Sequence, residues 1–282
     1  MDQEDSPTRS YTARLLVSCP DRPGIVAAIS GFLFERGANI VSSHQYSTDP
    51  TGGHFFLRTE FFLEDALESQ MAREGLRQLF ATQVAERFQM EWKLRFFDQR
   101  RRMAILVSRQ DHCLVDLLWR ARHGELDADV LGVISNHRDL ERETHAAGID
   151  FHHIPVEREH KTQAEERMLE CLEGNVDVVV LARYMQILSG EFLERLGVPV
   201  INIHHSFLPA FAGAEPYRRA HEHGVKLIGA TAHYVTAELD GGPIIEQGVE
   251  RVDHRAGVAE LERVGRDIER VVLARALSLH LD

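Results

Sequence analysis

From residue 103 onward, short apolar runs rich in β-branched residues alternate with stretches of helical periodicity, and few architectures accept that pattern. The runs are Met103 to Val107, Ala128 to Ser135, Val176 to Leu181, Val200 to Ile203 and Gly229 to Val235. Near-continuous hydrophobicity along a strand implies burial on both faces, which a mainly parallel sheet with helices on either side provides. Rossmann-like sheets of this kind take ligands at the carboxyl ends of their strands. The loops at that edge are therefore where chemistry is expected.

The earlier part of the chain has a different rhythm. Ala13 to Ser18 is strand-like, and Asp21-Arg22-Pro23-Gly24 supplies turn chemistry. Ile25, Ile29, Leu33 and Phe34 then recur at helical spacing, predicting a helix over Ile25 to Arg36 that Gly37 ends. Two predicted strands, Asn39 to Ser47 and His54 to Leu63, flank Asp49-Pro50-Thr51-Gly52-Gly53 as a hairpin. A second helix is predicted over about Ser69 to Phe88 and a last strand over Gln89 to Phe96. The order βαββαβ is ferredoxin-like. The cluster Asp98-Gln99-Arg100-Arg101-Arg102 breaks the pattern, so the expected organisation is a domain over 11–97, a linker over 98–102 and an α/β domain over 103–282.

Composition excludes several classes of function. Asp and Glu total 44 against 32 Lys and Arg, a net charge of -12, so a polyanion would be repelled and nucleic acid is not an expected partner. Cys19, Cys113 and Cys171 lie far apart without a CxxC pair, which favours a reducing compartment. The opening MDQEDSPTRS lacks the basic and apolar regions of a signal peptide, and no run reaches the roughly 18 to 20 apolar residues of a membrane span. A cytoplasmic location without a membrane partner is the expectation. The tandem pairs His152-His153 and His204-His205 would face opposite sides of a strand, so neither could chelate one ion. No metal and no cofactor are expected.

Two stretches carry chemistry. In the extended run Val200-Ile201-Asn202-Ile203-His204, Asn202 and His204 share a face while Ile201 and Ile203 turn into the packing. An amide donor beside an imidazole suits a carbonyl whose oxygen becomes negative in a tetrahedral intermediate; a polar strand end with satisfied side chains would look the same. Further on, Leu239-Asp240-Gly241-Gly242-Pro243 places an acid in a restricted turn, as an acid/base residue or as a turn aspartate bonding its own backbone.

The two motifs together resemble the formyltetrahydrofolate-dependent transferase and hydrolase superfamily, with its Asn-x-His strand followed by Leu-Asp-x-Gly-Pro. Within it, Ile203-His204-His205-Ser206-Phe207-Leu208-Pro209-Ala210-Phe211 and Gly229-Ala230-Thr231-Ala232-His233-Tyr234-Val235 resemble the deformylase branch. The resemblance implies that Asn202 and His204 stabilise the oxyanion of the formyl carbonyl and that Asp240 positions and deprotonates water. It also implies a folate pocket whose wall includes Met185, Gln186, Ile187 and Leu188, with Gly241 and Gly242 as further substrate contacts. Relatives often carry a basic residue where this chain has Gln186, which bears on the acidic folate tail; Lys161 is a further residue that could reach that tail. The stretch Val107-Ser108-Arg109-Gln110-Asp111-His112 has no glycine, whereas a loop cradling a substrate phosphate needs close backbone approach. Water is accordingly the expected nucleophile, giving formate and tetrahydrofolate for one-carbon balance and purine synthesis; transfer to an unidentified amine is the alternative.

Cys19-Pro20-Asp21-Arg22-Pro23-Gly24-Ile25-Val26 and Gly37-Ala38-Asn39-Ile40 resemble the ACT family of regulatory domains. That resemblance implies an amino-acid effector near Asp21, Gly24, Asn39 and Ile40, and a homo-oligomer. An ACT domain serving only as an oligomerisation surface remains the other reading.

Overall fold

The computed structural model describes residues 12–49, 51–63, 69–97, 100–208 and 216–281. The chain divides into two compact units, residues 1–99 and 100–282. Each unit encloses its own hydrophobic core.

The first unit contains β1 (Thr12–Pro20), α1 (Ile25–Phe34), β2 (Asn39–Ser47), β3 (His54–Phe62), α2 (Gln70–Phe80), a π turn (Ala81–Ala85), α3 (Glu86–Phe88) and β4 (Glu91–Phe96). Its four strands lie in the order β2-β3-β1-β4, and every neighbouring pair is antiparallel. Alternate residues of β1, namely Ala13, Leu15, Val17 and Cys19, are buried in the same cluster as Ile25, Ile29 and Leu33 of α1 and Phe80 of α2. The two-residue period of the strand and the helical period of α1 thus meet in one core. The helix stops at Phe34, two residues short of the expected Arg36, because Gly37 at φ 71 turns the chain and the Ala38 N-H bonds back to the Leu33 carbonyl. The single helix expected over Ser69 to Phe88 is broken at Ala81 by the π turn.

The second unit contains β5 (Arg101–Val107), α4 (His112–Arg122), β6 (Ala128–Ser135), α5 (Glu141–Ala146), β7 (Phe151–His153), α6 (Lys161–Leu172) and β8 (Val178–Leu181). There follow α7 (Gly190–Leu196), β9 (Val200–His204), α8 (Pro216–Glu222), β10 (Leu227–Tyr234), β11 (Ile244–Arg251) and α9 (Val258–Leu281). The strand order is β11-β10-β9-β8-β5-β6-β7, parallel from β9 through β7 and antiparallel at β10 and β11. Along β5 successive side chains enter different cores. Met103, Ile105 and Val107 join Leu114 of α4 and Leu273 of α9, whereas Ala104 and Leu106 join Met168 of α6 and Phe192 of α7. Two covered faces explain why β5 is apolar without alternation.

Several boundaries differ from expectation. Arg101 and Arg102, expected in a linker, open β5; the Arg102 N-H bonds to the Asp177 carboxylate at 2.8 Å and its guanidinium does so at 3.0 Å. Asp98 and Gln99 of that segment lie outside the described residues, as do Pro209, Ala210 and Phe211. β8 starts at Val178, since Asp177 is spent on Arg102, and β10 covers Leu227–Tyr234. Two edge strands went unforeseen: β7 is only three residues long, and β11 buries none of its residues fully, so neither has a core-facing alternation to detect.

Candidate active site

The strand β9 ends the parallel part of the sheet, and its pairing assembles the site. Leu181, the last residue of β8, sits opposite Asn202. On the other side β10 runs antiparallel, placing His233 opposite Asn202 and Thr231 opposite His204. Directly opposed residues on adjacent strands have side chains within reach of one another. The Asn202 Nδ2 and His233 Nε2 atoms are accordingly 3.2 Å apart. The other ring nitrogen of His233, Nδ1, lies 3.0 Å from the Tyr234 carbonyl oxygen. A carbonyl only accepts, so Nδ1 carries the proton, Nε2 offers its lone pair, and Asn202 donates to it. This fixes the amide's orientation and leaves its second N-H for a ligand. A β-bulge in the β10–β11 pairing falls between Ala232 and His233, a place where such irregularities re-aim side chains.

Asp240 reaches this pair from the loop after β10. Its Oδ1 lies 3.3 Å from His204 Nδ1 and 3.7 Å from His233 Nε2. The residue adopts φ 54, in the left-handed region, which costs a non-glycine residue on the order of 1 kcal/mol. The following glycines hold the turn. A Cβ on Gly242 would lie 1.8 Å from the Tyr234 carbonyl oxygen, and one on Gly241 would strike the Glu238 side chain at 2.6 Å. Neither glycine lines the adjoining cavity; both shape the loop that presents Asp240.

The cavity, about 430 Å³, is lined by Asn202, His204, His233 and Asp240 together with Met185, Gln186, Ile187 and Leu188. Met185 and Ile187 are more than half exposed while Leu188 is buried, so the segment offers apolar side chains to whatever fills the space. Leu239, 65% exposed, and Val235 add apolar surface from the loop after β10. Apolar walls with a few placed polar groups are typical of small-molecule sites. Lys161 pairs at 3.7 Å with Glu165, whose carboxylate accepts the N-H and hydroxyl of Ser189.

Burial pushes the His204 imidazole below the ordinary histidine range, with Asp240 opposing the shift and His233 and Arg183 adding to it. His204 Nε2 is buried without a hydrogen-bond partner. His205, whose ring centroid lies 5.3 Å from that of His204, is pushed down to about 3 by burial and the Arg183 charge.

Behind the site lies an ionic cluster the sequence did not reveal. Glu269 of α9, 1% exposed, accepts from Tyr217 Oη at 2.8 Å and lies 2.8 Å from His112 Nε2 and 3.5 Å from Arg183 Nε. Burial alone would raise its carboxyl pKa, but the His112 bond and the Arg183 charge outweigh that and hold it low. Arg183 itself has φ 64 and donates to the Gln110 side chain at 2.5 Å. In the same loop Ser108 donates to Asn136 Oδ1 at 2.8 Å and accepts the Met185 N-H at 3.0 Å. Side chains thus cross-link the segment after β5. Long-range pairing of this kind leaves no periodic trace in the sequence.

In the first unit the four residues expected around an effector do not converge. Asn39 and Thr12 both pair with Phe62, whereas Pro20 pairs with His54 and Ser47 with Phe55. Asn39 and Ile40 therefore lie at the end of the sheet where β1 begins, and Asp21 and Gly24 at the end where it finishes. Eight strand residues at about 3.3 Å each separate the two ends by roughly 26 Å. Asp21 accepts a hydrogen bond from the Ser47 hydroxyl, and Gly24 turns into α1 with φ 96.

Comparison with known proteins follows this division. The formyl transferase family matches residues 101–277 and the ACT domain family residues 13–69. Formyltetrahydrofolate deformylases of Mycobacterium tuberculosis and Bacillus subtilis are 55% and 53% identical to the chain, each over 95% of it and over 85% and 89% of their own length. The crystal structure of a formyltetrahydrofolate deformylase from Pseudomonas syringae superposes with a TM-score of 0.88 at 47% identity, covering 96% of this chain and 89% of that one. A glycinamide ribonucleotide transformylase from Symbiobacterium toebii, 36% identical, covers only 64% of the chain with a TM-score of 0.59. With an ACT domain ahead of a formyl transferase domain and relatives matched over nearly its whole length, the chain belongs to the formyltetrahydrofolate deformylase family.

Proposed function

We propose that the protein hydrolyses 10-formyltetrahydrofolate to formate and tetrahydrofolate, with Asn202, His204 and Asp240 acting on the formyl group. The observation that carries the reading is the Asp240 carboxylate held 3.3 Å from His204 Nδ1 in the lining of a largely apolar cavity. A pterin ring lies along the wall of Met185 to Leu188, and the formyl carbon meets the polar groups. Water bonded to Asp240 gives it a proton as the oxygen attacks that carbon. The carbonyl oxygen becomes anionic and accepts from the free Asn202 N-H. His204 donates from Nδ1 to the same carboxylate and holds it in place, and Asp240 gives the proton it took from water to the departing N10 as the C–N bond breaks. The formic acid left behind ionises to formate. A neutral imidazole donating from Nδ1 leaves Asp240 ionised and able to take the water's proton, and burial favours that neutral form.

Hydrolysis is favoured over transfer to an amine by the segment after β5. Ser108 and Gln110 fill it with side chains bonded to Asn136 and Arg183, where a phosphorylated acceptor would need open backbone N-H groups. The reading uses no metal. Among the described residues one group, His112, Cys113 and Glu269, has metal-ligand spacing. Glu269 is already engaged by His112 and Tyr217, and a guanidinium 3.5 Å away repels a cation. In the ACT domain the separation of Asp21 and Gly24 from Asn39 and Ile40 favours an effector site completed by a second copy of the chain.

The test is formate release from 10-formyltetrahydrofolate without any amine. Wild type releases formate, and Asp240→Asn, folded, does so at least roughly 100-fold more slowly. Formate production that requires an added amine would instead assign transferase activity.

A further inference from the structure

The Asn202 amide and the Asp240 carboxylate reach the cavity from different elements, yet both depend on one residue that lies outside its lining. Tyr234 ends β10 and is the last residue of that strand paired with β9. Its carbonyl oxygen lies 3.0 Å from His233 Nδ1 and takes that proton, which leaves Nε2 to hold the Asn202 amide. Its N-H donates to the Pro243 carbonyl at 2.9 Å and closes the turn that carries Asp240. Gly242 packs on the same Tyr234 carbonyl, so closely that a Cβ would lie 1.8 Å from the oxygen. A small shift of Tyr234 therefore moves both catalytic groups, and a displacement of about 1 Å is enough to cost roughly 100-fold in rate.

What holds Tyr234 lies on the other face of the strand. Consecutive strand residues point to opposite sides: His233 lines the catalytic cavity, whereas the Tyr234 ring packs on the core that Leu273 and Leu277 of α9 share. At the end of that helix, His280 Nδ1 lies 2.9 Å from the Tyr234 hydroxyl, and the two rings meet edge to face with centroids 5.7 Å apart. We propose that Tyr234 is a positioning residue for deformylation, latched to His280 in the last turn of α9, and that the latch steadies the peptide on which the His233 tautomer and the Asp240 turn depend. The inference rests on the hydrolytic reading.

The experiment uses the full chain and three substitutions. Tyr234→Phe keeps the ring and removes the hydroxyl, His280→Leu removes its partner, and His280→Asn keeps an amide that can donate or accept in place of Nδ1. Turnover of 10-formyltetrahydrofolate gives kcat and KM, and ¹⁵N NMR of the histidine side chains, with His233→Gln to assign the signal, reports the His233 tautomer in folate-free protein. Tyr234→Phe and His280→Leu each lower kcat roughly tenfold, the effect of losing about one hydrogen bond, with KM changed by less than about twofold. The double variant is no slower than either single one, because both break the same contact, and His280→Asn keeps most of the wild-type rate. In the slow variants the His233 signal moves from the pure Nδ1-H form toward a mixture of tautomers. Unchanged kcat in His280→Leu, losses that multiply in the double variant, or an unmoved His233 signal overturns the proposal; should Tyr234→Phe not fold, the two His280 variants decide it. Absence of amine-free turnover in wild type sinks the hydrolytic reading instead, and the His233 signal still shows whether the latch sets the tautomer.

Discussion

At the scale of single residues, the site is a set of short contacts whose removal separates binding from turnover. Asn202 spends one N-H on His233 and keeps one for the substrate oxygen, so its bond should strengthen as that oxygen becomes negative. Asn202→Ala therefore lowers kcat by about 100-fold or more with a change in folate Kd of under about threefold, as measured by turnover and fluorescence titration. A loss confined to Kd would remove Asn202 from the transition state. His205 gives a separate, thermodynamic prediction. Its folded pKa of about 3 lies below the ordinary 6.5, so the unfolded chain binds a proton that the folded chain refuses. Its contribution to stability is complete above pH 6.5 and is lost as pH falls toward 3. Between pH 6.5 and 4.5 wild type should lose on the order of 2 kcal/mol more than His205→Gln, by urea denaturation of both proteins at each pH. Equal losses would mean that His205 is not held neutral by burial.

At the scale of elements, two glycines decide where strands and helices meet the chemistry. Gly265 of α9 faces Tyr217 so closely that a Cβ would lie 2.0 Å from its hydroxyl. Tyr217 cannot swing away without giving up Glu269, which it bonds at 2.8 Å. Gly265→Ala should destabilise the second unit by about 1–3 kcal/mol and show it as a lowered thermal midpoint. Gly242→Ala meets backbone rather than side chain, since its Cβ would overlap the Tyr234 carbonyl; the turn must open and Asp240 move with it. The expected signature is a folded protein with turnover reduced about as far as in Asp240→Asn, by circular dichroism and formate release together. The positions of most strands and helices were legible beforehand, because burial imposes a period of two on β1 and a continuous apolar run on β5. β11 was not, because an edge strand with one weakly buried face has no such imprint.

At the scale of the whole molecule, two units with separate cores imply separable roles. The formyl transferase match begins at residue 101, and Arg100 bonds to the Leu126 and Ala128 carbonyls within the second unit. A fragment starting at Arg100 should fold with a cooperative thermal transition and retain formate release while losing any response to amino acids. Failure of that fragment to fold would show that the first unit supports the second. No helix among the described residues is long and apolar enough to cross a membrane. Much of this division could be read from the chain alone: the alternation of apolar runs and helical periods marks the parallel sheet because burial imposes it locally, whereas Asn202, His204 and Asp240 stood out only through the resemblance of their two motifs to a known family. Only the tertiary structure brought His233 against Asn202, set Asp240 in a left-handed turn between two imidazoles, buried Arg183 on Glu269 and put Asn39 at the far end of the sheet from Asp21. Those outcomes depend on which strand pairs with which and in what register, and a sequence encodes pairing only through packing across the fold, not through its own periodicity.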